Sequence, residues 1–197
     1  MNYEKLYLNI TDALVEKGYI VIENAFESTL SKALYLFSTA QIGFKQAGIS
    51  GAKDLHIDKN RRRDTILWLD EDGSTQSDYL NFAHGLRKHL NRELYLGLSS
   101  YESHFAIYEE GDFYEKHVDT FQKSKNRVVT TVYYLNEEWN ENSGGELVIY
   151  DREENILATV SPNANTLVIF LSDTFPHEVL LAKKKRFSIA GWFRVER

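Results

Sequence analysis

The segment His117-Val118-Asp119 sets an imidazole and a carboxylate two residues apart, and both are metal-ligating types. On an extended chain, residues two apart point to one side, so the pair could reach one ion. A third ligand must come from elsewhere in the fold, because three adjacent residues cannot cap one octahedral face. His177 is the natural candidate, since it follows Pro176 and precedes the apolar pair Val179-Leu180, where a strand would begin. Two imidazoles and one carboxylate on one face leave the remaining positions open, the arrangement used for non-haem Fe(II) oxygenase chemistry. A second H-x-D, His56-Ile57-Asp58, has no flanking strand and reads as a solvated loop or a substrate contact.

Nine residues after His177, Arg186 opens the strand-like run Arg186-Phe187-Ser188-Ile189-Ala190-Gly191-Trp192-Phe193. Alternation puts Arg186, Ser188, Ala190 and Trp192 on one face. A guanidinium fork holds a carboxylate by two parallel hydrogen bonds, and Ser188 can add a third. A dicarboxylic co-substrate needs such a clamp at its far end while its 2-oxo acid end chelates the metal. Other polar residues have plainer readings. His104 sits in an aromatic run and reads as a core or edge residue; His84 and His89 read as surface positions on a helix. Lys183-Lys184-Lys185 reads as a solvated turn or an attractor of the anionic co-substrate. Asn60-Arg61-Arg62-Arg63 reads as a mobile exposed loop or a grip on an acidic or nucleic-acid partner. Gly144-Gly145 reads as a hairpin turn, since no helix start follows it.

These residues need elements to hold them. Apolar spacing predicts a short helix over Leu6 to Lys17, a strand over Tyr19 to Glu23 and a helix around Leu30 to Phe37. Gly43 to Arg63 lacks periodicity and reads as a long loop, followed by a strand over Thr65 to Leu69 and a longer helix from about Asp78 to Leu96. From Ser103 onward short β-branched and aromatic runs follow one another: His104 to Tyr108, Arg127 to Leu135, Glu146 to Tyr150, Thr166 to Leu171 and Arg186 to Val195. Many short strands at near-regular spacing predict a sandwich or jelly roll, with helices on one outer face. The fold class is therefore mainly β with supporting helices (α+β), in one domain over residues 1–197. Its front part, about 1–100, is helix-rich, and the β core takes up about 101–197.

Composition excludes several classes. The chain has 197 residues and no cysteine, which removes disulfides, Fe–S clusters, thiolate zinc sites and cysteine nucleophiles and leaves His and carboxylate for any metal. A cysteine-free chain suits a reducing cytoplasm. Met1 to Thr11 carries charges and has no apolar run of signal-peptide length. No stretch approaches the ~20 apolar residues of a membrane helix. The net charge of −6 disfavours a phosphate backbone as partner.

Over nearly the whole chain, faintly at Glu16 to Ile22 and at Arg62-Arg63-Asp64 and most specifically from Tyr108 onward, the sequence resembles the 2-oxoglutarate/Fe(II) oxygenases of the prolyl 4-hydroxylase type, especially the hypoxia-type prolyl hydroxylases and their bacterial relatives. The matching stretches are Tyr108 to Asp119, Arg127 to Trp139 with Tyr133-Tyr134-Leu135-Asn136, Ser143-Gly144-Gly145-Glu146-Leu147, and Pro176-His177-Glu178-Val179 through Arg186 to Trp192. The resemblance implies a double-stranded β-helix (jelly-roll, cupin-like) core and a dioxygenase that uses Fe(II), 2-oxoglutarate and O2, with ascorbate as a reductant. It implies hydroxylation of a protein substrate at a prolyl residue, with release of succinate and CO2. A free amino acid or other small molecule as substrate, and a non-catalytic cupin-like sensor or interaction module, are the alternatives. By motif, His117, Asp119 and His177 would bind iron, and Arg186 with Tyr134 and Ser188 would hold the distal carboxylate of 2-oxoglutarate. Tyr108 would lie near the metal-binding end and Trp192 would close the pocket beside the substrate. The segment Asn60 to Asp64, with Arg62, Arg63 and Asp64, falls where the family has a mobile loop that folds over the substrate. Arg127 would pair with Asp64 or another acid to set that loop.

Overall fold

Apolar residues recur along one side of Glu4–Glu16, and in the computed structural model they form α1 (Glu4–Glu16) with Ile10 and Leu14 buried. The structure describes residues 3–51, 54–70, 74–120 and 126–196. Gly18 closes α1 at φ 78° and donates its N–H to the Ala13 carbonyl, a left-handed ending that only glycine adopts without strain. A Cβ there would also meet the Phe175 ring at 2.8 Å. Helix α2 (Ser28–Ala40) and helix α3 (Ser74–Leu94) follow the same logic, α3 burying Tyr79, Phe82, Ala83, Leu86 and Leu90. Burying one such side chain contributes about 1.5–3 kcal/mol. His89 is also inside, its ring tilted 5.5 Å from the Tyr7 ring, because α1 covers the face of α3 that the sequence reading left to solvent. Among the described residues no helix is long and apolar enough to cross a membrane.

The strands are β1 (Tyr19–Ile22), β2 (Lys45–Gln46), β3 (Ile49–Gly51), β4 (Asp54–His56), β5 (Thr65–Trp68), β6 (Ser100–Tyr108) and β7 (Tyr114–His117). Then come β8 (Arg127–Tyr134), β9 (Leu147–Tyr150), β10 (Ile156–Val160), β11 (Leu167–Leu171), β12 (His177–Val179) and β13 (Arg186–Arg194). One sheet runs β1-β11-β8-β13-β6-β5-β2 and a second runs β10-β9-β12-β7, with every ladder antiparallel. The two sheets face each other across Val132, Tyr134, Leu147, Ile149, Val168 and Phe170, a jelly-roll sandwich. Helices cover the other face of the large sheet, where Phe105, Ile107, Val129, Tyr133, Ile189 and Phe193 point.

Alternation along the central strands sorts chemistry from packing. On β13, Phe187, Ile189 and Phe193 enter the helix-side core, while Arg186, Ser188, Ala190 and Trp192 face the space between the sheets. On β6 the same split puts His104, Ala106 and Tyr108 toward that space, and on β8 it puts Thr130, Val132 and Tyr134 there.

Two sequence expectations change here. The stretch read as a long loop contains β2, β3 and β4, pairings of two or three residues that are too short to show a period. Gly144-Gly145 is not a hairpin turn: it follows a short 3-10 helix (Glu141–Ser143), both glycines have positive φ, and Gly144 bridges Ala182. Strand β10 also escaped the sequence reading, since it is an edge strand with mostly exposed residues.

Candidate active site

The pairing of β12 with β7 sets His177 directly opposite His117, with ring centroids 4.3 Å apart. Asp119 follows two residues after His117, with its Oδ1 3.6 Å from His117 Nε2 and its Oδ2 3.5 Å from His177 Nε2. Ligand atoms of all three lie within 4.8 Å of one another, the only such metal-ligating group among the described residues. The tautomers follow from the backbone. His117 Nδ1 lies 2.7 Å from the Glu115 carbonyl and His177 Nδ1 3.0 Å from the Phe175 carbonyl. A carbonyl only accepts, so each Nδ1 carries a hydrogen and each Nε2 is the ring nitrogen turned toward the other two ligands. Burial pushes the His177 imidazole down to about 4, which keeps it neutral. Burial would raise Asp119, but His177, His117 and Arg127 outweigh it and hold the carboxyl well below the usual carboxylate range. Two imidazoles beside an ionised carboxylate are the donor set a divalent iron takes. The side chain of His56, in the second H-x-D, lies outside the described residues.

These ligands open onto a cavity of about 760 Å³ whose opposite wall holds Arg186. Arg186 is 1% exposed, donates from Nε to the Gly145 carbonyl at 2.9 Å and from Nη1 to Ser188 Oγ at 3.1 Å. The rings of Tyr108 and Tyr134 lie 4.7 and 5.0 Å from its guanidinium carbon. Tyr108 thus sits at the arginine end, across from Arg186 in the ladder. Among the described residues no carboxylate lies within ion-pair distance of Arg186, and the buried Tyr134 hydroxyl has no hydrogen-bond partner. Burial pushes that phenol up to about 12, so it keeps its hydrogen to donate. A buried cation without a carboxylate partner and a buried hydroxyl without an acceptor fit the distal carboxylate of 2-oxoglutarate, since a buried charge without a counter-charge costs several kcal/mol.

The remaining predicted residues take definite places. Arg62 donates to both oxygens of Asp64 at 2.6 and 2.9 Å, and Asp64 is 0% exposed. The Arg62 guanidinium lies 4.5 Å over the Tyr114 ring, and that ring stacks 3.6 Å from His117. Residues 61–63 are sewn to β7 through Arg63 N–H to Phe113 O, Glu115 N–H to Arg61 O and a bridge from Arg62 to Tyr114. The segment read as an exposed basic loop is therefore cavity wall, because its central arginine is paired inward, while Arg63 lies outside over Phe113. Arg127 pairs with Glu102 at 3.0 Å rather than with Asp64, and its guanidinium lies 3.7 Å from the Trp192 ring. Trp192 is buried beside His104, and Trp68, 53% exposed, packs edge-on to the same imidazole. Of the lysines, Lys184 folds over Trp139 and Lys185 pairs with Glu109, as in a solvated turn. Sequence reasoning missed His104 and Thr130 as cavity residues, although the alternation that places Tyr134 also places Thr130 four residues earlier on β8.

The 2OG-Fe(II) oxygenase superfamily model matches residues 103–194. The crystal structure of a Pseudomonas putida prolyl-4-hydroxylase aligns at TM-score 0.88 and 32% identity, covering 97% of this chain and 100% of that one. The chain belongs to the 2OG-Fe(II) oxygenase superfamily, in its prolyl 4-hydroxylase type. A prolyl hydroxylase from Trichoplax adhaerens, solved in complex with a hypoxia inducible factor oxygen degradation domain peptide, aligns at TM-score 0.81 and 27% identity over 97% of this chain and 90% of that one. The hypoxia-inducible factor prolyl hydroxylase of Caenorhabditis elegans is 29% identical over 94% of this chain, which spans only 28% of that protein's length. The superfamily uses Fe(II), 2-oxoglutarate and O2, and the cavity carries residues suited to the first two at its opposite walls.

Proposed function

We propose that this chain, as one domain over residues 1–197, hydroxylates a prolyl residue of a protein substrate in the cytoplasm, consuming 2-oxoglutarate and O2 and releasing succinate and CO2. The observation that carries the proposal is one cavity with an open His/Asp/His set at one wall and an acid-free buried arginine at the other. When bound, Fe(II) supplies the activation of O2 and the oxidative decarboxylation of the 2-oxo acid, with ascorbate as its reductant. The chain supplies the rest. His117, Asp119 and His177 hold the metal through Nε2, a carboxylate oxygen and Nε2. Arg186 binds the far carboxylate of 2-oxoglutarate with Ser188 and Tyr134, which orients the 2-oxo acid end toward the ligands. Ala106, Val132 and Ala190 line the floor between the two walls and exclude water from it. Trp192, His104 and Trp68 shape the substrate side, with Arg127 fixing the Trp192 ring.

The prolyl assignment is supported by the Pseudomonas putida and Trichoplax adhaerens relatives, both prolyl hydroxylases by name. Its test is a mass-spectrometric comparison of host proteins from cells carrying the native chain or Asp119→Ala. A peptide hydroxylated on proline only with the native chain is the expected result. Hydroxylation of another residue type would overturn the prolyl assignment. No protein difference, with metabolites altered instead, would transfer the chemistry to a free amino acid or another small molecule.

A further inference from the structure

One buried hydroxyl chain ends on the metal-ligating carboxylate. Thr130 Oγ1 lies 2.8 Å from Asp119 Oδ2 and 2.8 Å from Ser172 Oγ. An ionised carboxylate only accepts, so the single hydroxyl hydrogen of Thr130 goes to Asp119. Thr130 can then only accept from Ser172, and the chain has one direction: Ser172 to Thr130 to Asp119. All three side chains are buried, Ser172 at 0% exposed.

Three separate elements assemble this chain. Asp119 follows β7 in the small sheet, Thr130 projects from β8 in the large one, and Ser172 stands just past β11, its N–H bonded to the Val128 carbonyl at 3.0 Å. Asp119 Oδ1 faces His117 Nε2 at 3.6 Å and Oδ2 faces His177 Nε2 at 3.5 Å, but the hydroxyl hydrogen bond from Thr130 goes to Oδ2. The two carboxylate oxygens are thus unequal: Oδ2 is tethered to the large sheet by a hydroxyl, and Oδ1 carries no such tether.

We infer that Thr130 and Ser172 are positioning residues which tether Asp119 by one oxygen and so present the other alone to the metal. The inference rests on the metal assignment above. A carboxylate anchored in this way takes up one coordination position rather than two. The remaining positions stay available to a chelating 2-oxo acid and O2. Without the tether, the buried Oδ2 would have no hydrogen-bond donor and could turn onto the metal. Hydrogen-bond partners of this kind set ligand orientation, and their loss typically costs about 10- to 100-fold in metal affinity.

The test uses metal-free full-length protein and Mn(II) as the probe, followed by calorimetry and by the electron paramagnetic resonance signal of bound Mn(II). Thr130→Val, which keeps shape and removes the donor, is expected to weaken Mn(II) binding about 10- to 100-fold. Thr130→Ser, which restores the hydroxyl, is expected to stay within about threefold of the parent, a rescue that a purely packing role would not produce. Ser172→Ala leaves Asp119 its donor and is expected to weaken binding about 3- to 10-fold; it decides the matter if Thr130→Val does not fold. Parent-like Mn(II) affinity in Thr130→Val, or in Ser172→Ala where that variant decides, overturns the inference and leaves the metal assignment standing. A parent protein that takes up no Mn(II) overturns the metal assignment itself, and the inference with it.

Discussion

Arg186→Ala separates the two walls of the cavity, because Arg186 touches none of the three metal ligands. Its contacts are the Gly145 carbonyl, Ser188 Oγ and the faces of Tyr108 and Tyr134. A hydrogen bond to a charged partner contributes about 1.5–3 kcal/mol net. Losing a two-pronged contact to a buried carboxylate therefore costs about 3–5 kcal/mol, roughly 150- to 5,000-fold in affinity. Arg186→Lys keeps the charge but loses the planar fork, and it should fall between the parent and Arg186→Ala. The assay is calorimetric titration of 2-oxoglutarate into Mn(II)-loaded protein, after Mn(II) affinity has been measured for each variant. Mn(II) affinity is expected to stay within about threefold of the parent, since the ligand set is untouched. A 2-oxoglutarate titration in Arg186→Ala that matches the parent would refute the clamp. A collapse of Mn(II) binding would show instead that the two walls are not independent.

Two further outcomes follow from particular contacts. Gly145 has φ 70°, and a Cβ there would meet Arg186 Cδ at 3.0 Å while its carbonyl receives the Arg186 Nε hydrogen. Gly145→Ala should therefore displace the guanidinium and weaken 2-oxoglutarate about tenfold with Mn(II) binding retained, and an unchanged titration would remove Gly145 from that role. His104 is pushed down to about 4, first by burial and then by the Arg62 charge, so the unfolded chain binds more protons than the folded one between roughly pH 6.5 and 4. Stability from this residue is present above the unfolded value and is lost as pH falls through that window, by about 3 kcal/mol. Denaturant unfolding of metal-free parent and His104→Phe at pH 7 and near pH 4 should show a smaller acid loss in the variant; equal losses would contradict the sign.

The helices and several strands of the large sheet were legible because each is an apolar or regularly patterned run bounded by turn residues. Tyr19 to Glu23, Thr65 to Leu69 and Arg186 to Val195 each fall within a residue or so of β1, β5 and β13. The His and Asp of the H-x-D and the distal His were legible because ligand chemistry needs particular residue types at period two. What was not legible depends on partners far along the chain. Arg62 looked like part of an exposed basic run, yet Asp64 and Tyr114 draw it into the wall. Arg127 was matched to Asp64 or another acid, and its partner is Glu102, 25 residues away in sequence. His89 read as surface until α1 was laid over it.

The residue types and their alternation by themselves determined which atoms could bind a metal, which strand face carried the arginine, and that no cysteine chemistry was available. Tertiary structure decided that His177 stands opposite His117, that Arg186 is buried without an acid, and that Thr130 and Ser172 reach Asp119. The reason is geometric: alternation fixes a side chain's face within its own strand, but only strand register and the packing of one sheet over another set distances between strands.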